Sequence, residues 1–356
     1  SSTSYTFGKN MDQNYGTTAI DEYAVDVTWE VADKTDIGVD MRLLNNKLNL
    51  QFDYFKESRK GIYLRRSSIP SYVGMINNPY GNIGKVENKG FELSVNYANS
   101  WGDWSLSLMG NYSFNRNKVL EDDSTVAYPW QNTIGNKVGQ RFGLVALGLF
   151  DSYEEIAASP VQTGDTRPGD IKYKDVNGDG KIDEYDKVPI GWGSVPEIMY
   201  GFGFSVGWKN LSLTAMFQGA AHVDAMLSGE GVLPFSQGSS RGNLLSNVTD
   251  RWTEENPRQD VFYPRLSIGN INMNYEESTW WLKDTDYLRL KNIELSYRLP
   301  DRWMKRIHLS NARIFIQGVN LLTFSSFKIW DVELGDGRGA KYPNIASVSL
   351  GINFNF

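Results

Sequence analysis

The chain has 356 residues, of which 40% are apolar and 13% aromatic, and its formal net charge is −6. Its Lys and Arg residues are scattered, which argues against nucleic-acid binding because phosphate contacts need a clustered basic face. Cysteine is absent, which excludes disulfides and thiolate metal sites. No apolar run reaches the roughly 18 residues of a transmembrane helix, but membrane strands alternate and escape this test.

Large apolar residues recur at every second position in several stretches, which predicts strands with one apolar face. The stretch 198–208 is the clearest, because its even-numbered residues are large and the residues between them are mostly Gly or Ser. We expect these even-numbered residues to face lipid. The stretches are about ten residues long, which is the length that a tilted strand needs to cross a bilayer.

Nine strands are predicted in this way, and a tenth is expected within residues 3–10. The nine cover residues 35–44, 47–57, 90–99, 103–116, 197–208, 211–220, 284–299, 311–322 and 344–356.

Short and long connections alternate along the chain. Tight turns occur at 45–46, 100–103 and 209–210, while the long polar segments are 58–89, 117–196, 221–283 and 323–343. Tight turns on one side and large loops on the other are typical of outer-membrane barrels. The prediction is therefore an all-β chain of transmembrane antiparallel β-barrel strands with long extracellular loops. The alternatives are a soluble all-β protein with large insertions, a non-transporting β-barrel, and a surface binding or adhesin module that stacks sugars on its loop aromatics and holds a structural calcium loop.

Several segments resemble SusC-like TonB-dependent outer-membrane transporters, of the SusC and RagA type, in sequence and in order. They are VENKGFELSVNY, GDIKYKDVNGDGKID, IGWGSVPEIMYGFGFSVGWKNLSLTAMFQGA, RWTEENPR, DYLRLKNIELSYRLP, FIQGVNLLTFSSF and the terminal aromatic strand.

The resemblance implies a 22-stranded barrel that holds a plug and carries a SusD-like lipoprotein lid. It implies uptake of oligosaccharides or oligopeptides across the bacterial outer membrane, powered by TonB. Residues 1–356 are expected to be the C-terminal portion of such a barrel. The plug domain, the TonB box and the remaining N-terminal barrel segment are then expected outside this chain.

The stretch DVNGDGKIDEYD resembles a twelve-residue calcium loop, because oxygen-bearing residues alternate around a glycine turn. The predicted calcium ligands are Asp175, Asn177, Asp179, the carbonyl of Lys181, Asp183 and Asp186. The alternative is an Asx- and glycine-rich turn whose carboxylates bind backbone amides. In both interpretations the role of the loop is structural, holding the base of the long segment that precedes strand 197–208.

No pattern of a catalytic nucleophile, zinc site or phosphate loop occurs in the sequence. The adjacent acid pairs, such as Glu154 and Glu155, are typical of solvated loops. His222 and His308 lack the partners that a nucleophile or zinc site would need. An enzyme is therefore not expected.

Overall fold

The computed structural model describes residues 4–7, 13–16, 27–70, 78–236, 244–269, 271–306 and 310–355. Nineteen strands are numbered here in chain order. They are β1 Ser4–Phe7, β2 Gln13–Gly16, β3 Val31–Leu43, β4 Leu48–Arg65, β5 Tyr80–Trp101, β6 Trp104–Glu121, β7 Arg141–Gly143, β8 Ala146–Leu149, β9 Val161–Gln162, β10 Ile171–Tyr173, β11 Lys181–Ile182, β12 Val188–Ile190, β13 Ile198–Trp208, β14 Leu211–Ala221, β15 Asp224–Met226, β16 Leu282–Asp284, β17 Tyr287–Arg298, β18 Asn311–Phe324 and β19 Ser347–Asn355.

Helical segments are few and short in the described ranges. There the α-helices are α1 Tyr153–Ala157 and α2 Asp301–Arg306, and the 3₁₀ turns are Pro129–Gln131, Glu184–Asp186, Ser246–Thr249 and Val332–Leu334. No helix in the described ranges is long and apolar enough to span a membrane.

Nine strands form one sheet in the order β19-β18-β17-β14-β13-β6-β5-β4-β3. The order follows the chain, and every register recorded in this sheet, from β6 to β19, is antiparallel. This confirms the nine predicted strands and the all-β class. Within the described strands, the sheet has β3 and β19 as its edges.

Two details of the strand prediction were wrong. The stretch 3–10 does contain a strand, but β1 pairs with β2 in a separate two-stranded sheet and is not a tenth member of the large one. In addition, β4 and β5 have 18 and 22 residues, which is much longer than predicted. A bilayer crossing needs only about 9–11 residues, so these two strands continue beyond the apolar stretch.

One face of the sheet is continuously apolar. Phe202 lies opposite Phe217, and Phe204 lies between Leu108 and Ala215 in neighbouring strands. The face contains Leu106, Val206, Leu213, Leu295, Ile316 and Leu350 in a single row across six strands. The prediction that the even-numbered residues of 198–208 share one apolar face is thus confirmed.

Aromatic rings bound this apolar face at two levels. Trp104 and Trp208 lie side by side with ring centroids 6.1 Å apart, next to the tight turns. Tyr112 lies opposite Tyr200 towards the other end of the same strands. At about 3.3 Å per residue, Tyr200 and Trp208 are roughly 26 Å apart along the strand. This spacing resembles the apolar band of about 25 Å that lies between the aromatic girdles of membrane barrels.

Tyr200 also covers a gap in the apolar face. A Cβ atom on Gly219 would lie 2.4 Å from the Tyr200 ring, so only glycine leaves room for the ring. The Tyr200 hydroxyl donates a hydrogen bond to the Tyr287 carbonyl at 3.1 Å. The ring therefore replaces the side chain that Gly219 lacks and connects β13 to β17 across β14.

The chain divides into two compact units, of which the first comprises Ser1–Thr35, Lys56–Asn88 and Asn117–Val138. Its strand segments carry cross-strand ion pairs: Lys34–Glu57, Lys56–Glu87, Arg59–Glu30, Lys60–Asp33 and Lys85–Glu121. Charged side chains on the lipid face cost about 2–4 kcal/mol each at the middle of a bilayer, so we infer that any of these ion pairs on that face lies outside the apolar band.

The second unit comprises Asp36–Phe55, Lys89–Arg116 and Gly139–Phe356 and contains most of the buried apolar residues. These residues lie mainly in the long connections and not in the sheet. One cluster is built around Trp281, Tyr263 and Leu227, and a second around Leu144, Tyr173 and Trp252. We call the described residues of this packed part, within 139–196, 222–236, 244–269, 271–286 and 325–336, the loop body.

Short strands give the loop body its internal order. Strand β7 pairs with β12, β8 with β10 and β15 with β16, all antiparallel, while β9 and β11 pair in parallel. The sequence predicted only long loops here. Trp281 packs inside this body and is only 1% exposed.

The assignment of the apolar face to lipid can be tested with nitroxide labels at four positions. We expect labels at Phe202 and Phe204 to be accessible to lipid-soluble oxygen, because these side chains project from the apolar face. Labels at Ser205 and Ser212 should be accessible instead to a water-soluble nickel reagent, since both belong to the polar face. Accessibility measured by electron paramagnetic resonance in reconstituted bilayers checks this, and the inverse pattern would contradict the assignment.

Candidate functional site

The face of the sheet opposite the apolar one is polar and hydrogen-bonded. Arg313 forms an ion pair with Glu294 at 2.7 Å across β17 and β18. The Ser205 and Thr214 hydroxyls are 2.9 Å apart across β13 and β14. This face offers hydroxyl, amide and charged groups to a hydrophilic solute, as the inner wall of an outer-membrane barrel does.

Arg289 connects this wall to the segment that follows β18. Its guanidinium is 2.7 Å from Asp331 and 2.7 Å from Glu333, and the residue is only 2% exposed. Burial alone would raise the pKa of Asp331, but hydrogen bonds from Arg289 and from backbone amides hold the pKa of this carboxyl below its usual value. The carboxylate therefore stays ionised, and Arg289 fixes the segment against the strand.

The predicted calcium loop runs from the end of β10 to the 3₁₀ turn Glu184–Asp186. Asp175 accepts hydrogen bonds from the backbone amides of Gly178 and Gly180, at 2.6 and 2.9 Å. Both glycines have positive φ, at 75° and 82°, which only glycine adopts readily. The first predicted ligand is therefore bound to the turn that it encloses.

Asn177 and Asp179 behave similarly. The Asn177 side-chain oxygen accepts from the Asp179 amide at 3.0 Å, and Asp179 accepts from the Lys181 amide at 2.9 Å. The Asn177 side-chain nitrogen donates to Asp179 at 3.1 Å. Lys181, whose carbonyl was predicted as a ligand, pairs with Val161 in the parallel bridge of β11 and β9.

Asp186 closes the loop and is its anchor. It is completely buried and accepts from the amides of Val176 at 2.7 Å and Asp183 at 2.9 Å. The Asp183 side chain in turn accepts from the Tyr185 amide at 2.8 Å and caps the 3₁₀ turn. The two ends of the twelve-residue stretch are thus held together by one carboxylate.

The donor set has the hard oxygen chemistry that calcium prefers. However, the described residues include no group of three or more acidic or histidine side chains placed to hold a metal ion. The carboxylates bind backbone amides instead, which is the Asx- and glycine-turn arrangement that the sequence left as the alternative. Calcium binding at this loop stays a prediction.

A second buried carboxylate organises the neighbouring segments. Asp170 is 1% exposed and accepts from Arg265 Nε at 2.9 Å, from Asn272 at 3.1 Å and from Asn274 at 2.8 Å. It also accepts from the Arg167 amide at 2.9 Å. One donor lies at residue 167 and the others lie at 265–274. Asp170 therefore joins two long connections that are about a hundred residues apart in the sequence.

Burial keeps two tyrosines of the same body neutral. Burial raises the pKa of Tyr275 to about 12, and its hydroxyl donates to the Pro234 carbonyl. Burial likewise raises the pKa of Tyr263 to about 12. Both hydroxyls stay protonated at physiological pH.

A cavity of about 340 Å³ opens beside the end of the predicted calcium loop. It lies between residues 163–164, 182–187 and 271–276, with Leu144 at its base. Sequence reasoning missed this cavity, because its wall is assembled from four separate segments. The nearest signal in the sequence was the acidic loop, whose residues Asp183 and Glu184 form part of the rim.

Of the two histidines, His222 lies in the described part of the chain, and His308 lies outside it. The His222 ring stacks on Trp192 with centroids 4.0 Å apart, and Nδ1 is 3.2 Å from Glu197. Glu197 also binds Arg116 at 2.6 Å. This cluster closes the ends of β6, β13 and β14 and resembles a structural clamp more than a reactive centre.

Comparison with known proteins gives a consistent result. The chain matches the family model described as TonB dependent receptor-like, β-barrel, over residues 1–321. It is 28% identical to TonB-dependent receptor P3 of Formosa agariphila, with 97% of this chain and 36% of the relative covered. It is 30% identical to TonB-dependent receptor P26 of the same organism, with 93% and 35% covered.

TonB-dependent receptor SusC of Bacteroides thetaiotaomicron is 24% identical over 99% of this chain and 34% of its own length. Among solved structures, the RagAB peptide transporter superposes with a TM-score of 0.71 at 22% identity, covering all of this chain and 38% of that one. This likeness shows a shared fold. The chain spans only about a third of the curated relatives, 36% and 35% of the first two.

The anchoring role of Asp186 predicts a selective effect on the loop body. Asp186→Ala leaves buried amide donors without an acceptor, and we expect a loss of about 2–3 kcal/mol in local stability. Asp179→Ala is the matched control, because Asp179 is exposed. The rate of tryptic cleavage within 161–187 in the folded protein measures the effect, and equal cleavage of both variants would refute the anchor.

Calcium binding is tested by the same protease assay on the intact protein in detergent. We expect calcium to slow cleavage within 161–187 relative to a chelator, with half-saturation at about 10⁻⁴–10⁻³ M, as in extracellular calcium modules. Magnesium should have a much smaller effect, because it demands strict octahedral geometry. Asp175→Asn should abolish the calcium response, and cleavage that ignores calcium altogether would leave the loop as a hydrogen-bonded turn.

Proposed function

Because the chain belongs to the TonB dependent receptor-like β-barrel family, we propose that its nine strands are part of a transporter barrel that takes up oligosaccharides or oligopeptides. Membership places the protein in the outer membrane. In our proposal the apolar face of the sheet faces lipid. The observation that carries the proposal is the two-faced sheet with a family match over 1–321. The transport activity, the cargo and the partners of the protein belong to the proposal.

The polar wall supports a transport role. A hydrophilic solute loses water when it enters a narrow passage, and the groups on the wall can replace part of that hydration. Glu294, Arg313 and the Ser205–Thr214 pair supply charges and hydroxyls along one wall. In our proposal this wall is part of a larger barrel. The chain spans about a third of the length of its relatives, and 36% of the length of TonB-dependent receptor P3.

We further propose that the complete transporter carries a plug and is energised through TonB. The plug and the remaining strands would come from the part of the longer relatives that this chain does not span. The support is the resemblance in sequence to SusC-like transporters and the fold shared with the RagAB peptide transporter.

The loop body supports a lipoprotein partner of the SusD-like kind. Its packed core keeps its surface in one shape, which favours docking because little order is lost on binding. It also exposes large apolar side chains, among them Val161 at 69% and Tyr153 at 63%. Single exposed apolar residues are common on protein surfaces, so these two positions support docking only if a partner covers them.

Co-purification tests the partner and cargo. We expect a surface lipoprotein to purify with the tagged intact protein in mild detergent, and uptake of oligosaccharide or oligopeptide to fall when the gene is deleted. Tyr153→Asp with Val161→Asp should weaken the co-purification, because charge is placed on the proposed docking surface. Asn45→Asp, in a tight turn, should not.

An intact protein that purifies without any lipoprotein would remove the lid from the proposal. Unchanged uptake of every tested oligomer in the deletion strain would remove transport. In addition, protease added to whole cells should cut in 58–70 or 117–196 and spare the turn at Lys209, because the two lie on opposite sides of the membrane.

A further inference from the structure

The cavity of about 340 Å³ in the loop body has an apolar base. Leu144 and Ile182 are almost completely buried beneath it, and Met273 packs against the same cluster. Ile271 lines the cavity and is 45% exposed. An aliphatic chain that entered the cavity would cover this side chain and remove apolar surface from water.

The rim of the cavity carries more negative than positive charge. Asp183, Glu184 and Glu276 face one cation, Lys187. Lys187 Nζ is 2.9 Å from Glu184 but 3.9 Å from Glu276. Among the described residues, Lys187 is thus the ion partner of the Glu276 carboxylate only at the longest distance that counts as an ion pair. The Glu276 oxygens can therefore accept hydrogen bonds from a ligand.

The walls of the cavity are held in place before any ligand arrives. The Asp165 amide donates to the Ile271 carbonyl at 2.8 Å, and a Cβ atom on Gly164 would lie 2.2 Å from that carbonyl oxygen. Asp170 fixes Asn272 from below, and Asp186 fixes Asp183. A preorganised site loses little conformational entropy on binding.

We propose that this cavity binds the side chain of a lysine or arginine in a peptide. The aliphatic stem would lie on Ile271 and Met273, and the cationic head would reach Glu276. The volume is at the small end of ligand pockets, which run from about 300 to 1,000 Å³, so it suits one long side chain rather than a whole oligomer. The inference deepens the proposed function, because it gives the cargo of that transporter a chemical class.

The lining favours a peptide over an oligosaccharide. Sugars are commonly held by stacking on aromatic rings, and the lining residues include no aromatic side chain. The combination of an apolar base with a carboxylate rim matches the amphipathic shape of lysine and arginine side chains, which have an apolar stem and a charged head.

Binding is measured on the intact protein in detergent by fluorescence anisotropy. The probe is a labelled Ala-Arg-Ala-Ala peptide, and the matched probe carries citrulline, which has the shape of arginine without its charge. We expect the arginine peptide to bind at least about tenfold more tightly, because a charge-assisted hydrogen bond is lost with citrulline. Glu276→Gln should weaken arginine binding about tenfold and leave citrulline binding unchanged.

Glu254→Gln is the control variant, because Glu254 is an exposed loop residue outside the cavity. Equal affinity for both peptides, no effect of Glu276→Gln, or no peptide binding by the folded protein would each overturn the inference. Competition by a neutral maltooligosaccharide at lower concentration than the arginine peptide would assign the cavity to sugar instead.

The binding assay needs no TonB and no membrane energy, so it separates the two proposals. If peptide binds as expected while cells lacking the protein import normally, transport fails and the binding site stands. If import depends on the protein while Glu276→Gln binds and imports as the unaltered protein does, the binding site fails and transport stands.

Discussion

Backbone hydrogen bonding in the absence of water is the constraint on which the rest of this structure depends. Inside a bilayer each backbone N–H and C=O must find a partner in the protein, since no solvent is available. The seven interior strands of the sheet meet this demand on both sides, because each pairs with two neighbours in chain order. Antiparallel pairing of consecutive strands, in turn, sends alternate connections to opposite ends of the sheet.

Because of the same constraint, the sheet and the loop body of this chain are stabilised in different ways. In the sheet the large apolar residues share one face, which in our proposal contacts lipid, and they contribute little to a protein core. The core lies in the loop body, where Trp281, Tyr263 and Leu144 are almost completely buried. Aqueous burial of apolar surface stabilises this body, with Asp170 and Asp186 as buried carboxylates whose acceptor oxygens are matched by amide and guanidinium donors.

The membrane-crossing part of the fold could be predicted from sequence because its signal is local. A period of two over about ten residues is visible without knowing what pairs with what. The continuation of β4 and β5 was missed because the segments around Arg59 and Lys85 are charged and do not alternate. The loop body was missed for another reason: Leu144, Trp252 and Trp281 meet in space with no regular spacing in the chain. The cavity shares this property, since only Ile182, Asp183 and Glu184 among its lining residues belonged to a recognisable motif.

The separate core of the loop body has a consequence for how such proteins diverge. Residues on its surface can be exchanged without altering the strands, because burial of apolar surface from water stabilises the loop body, whereas the sheet is adapted to the bilayer. Natural selection can therefore remodel the surface of the loop body while the strands of the sheet stay the same. Members of a family built in this way can differ in ligand specificity while they share the same strand scaffold.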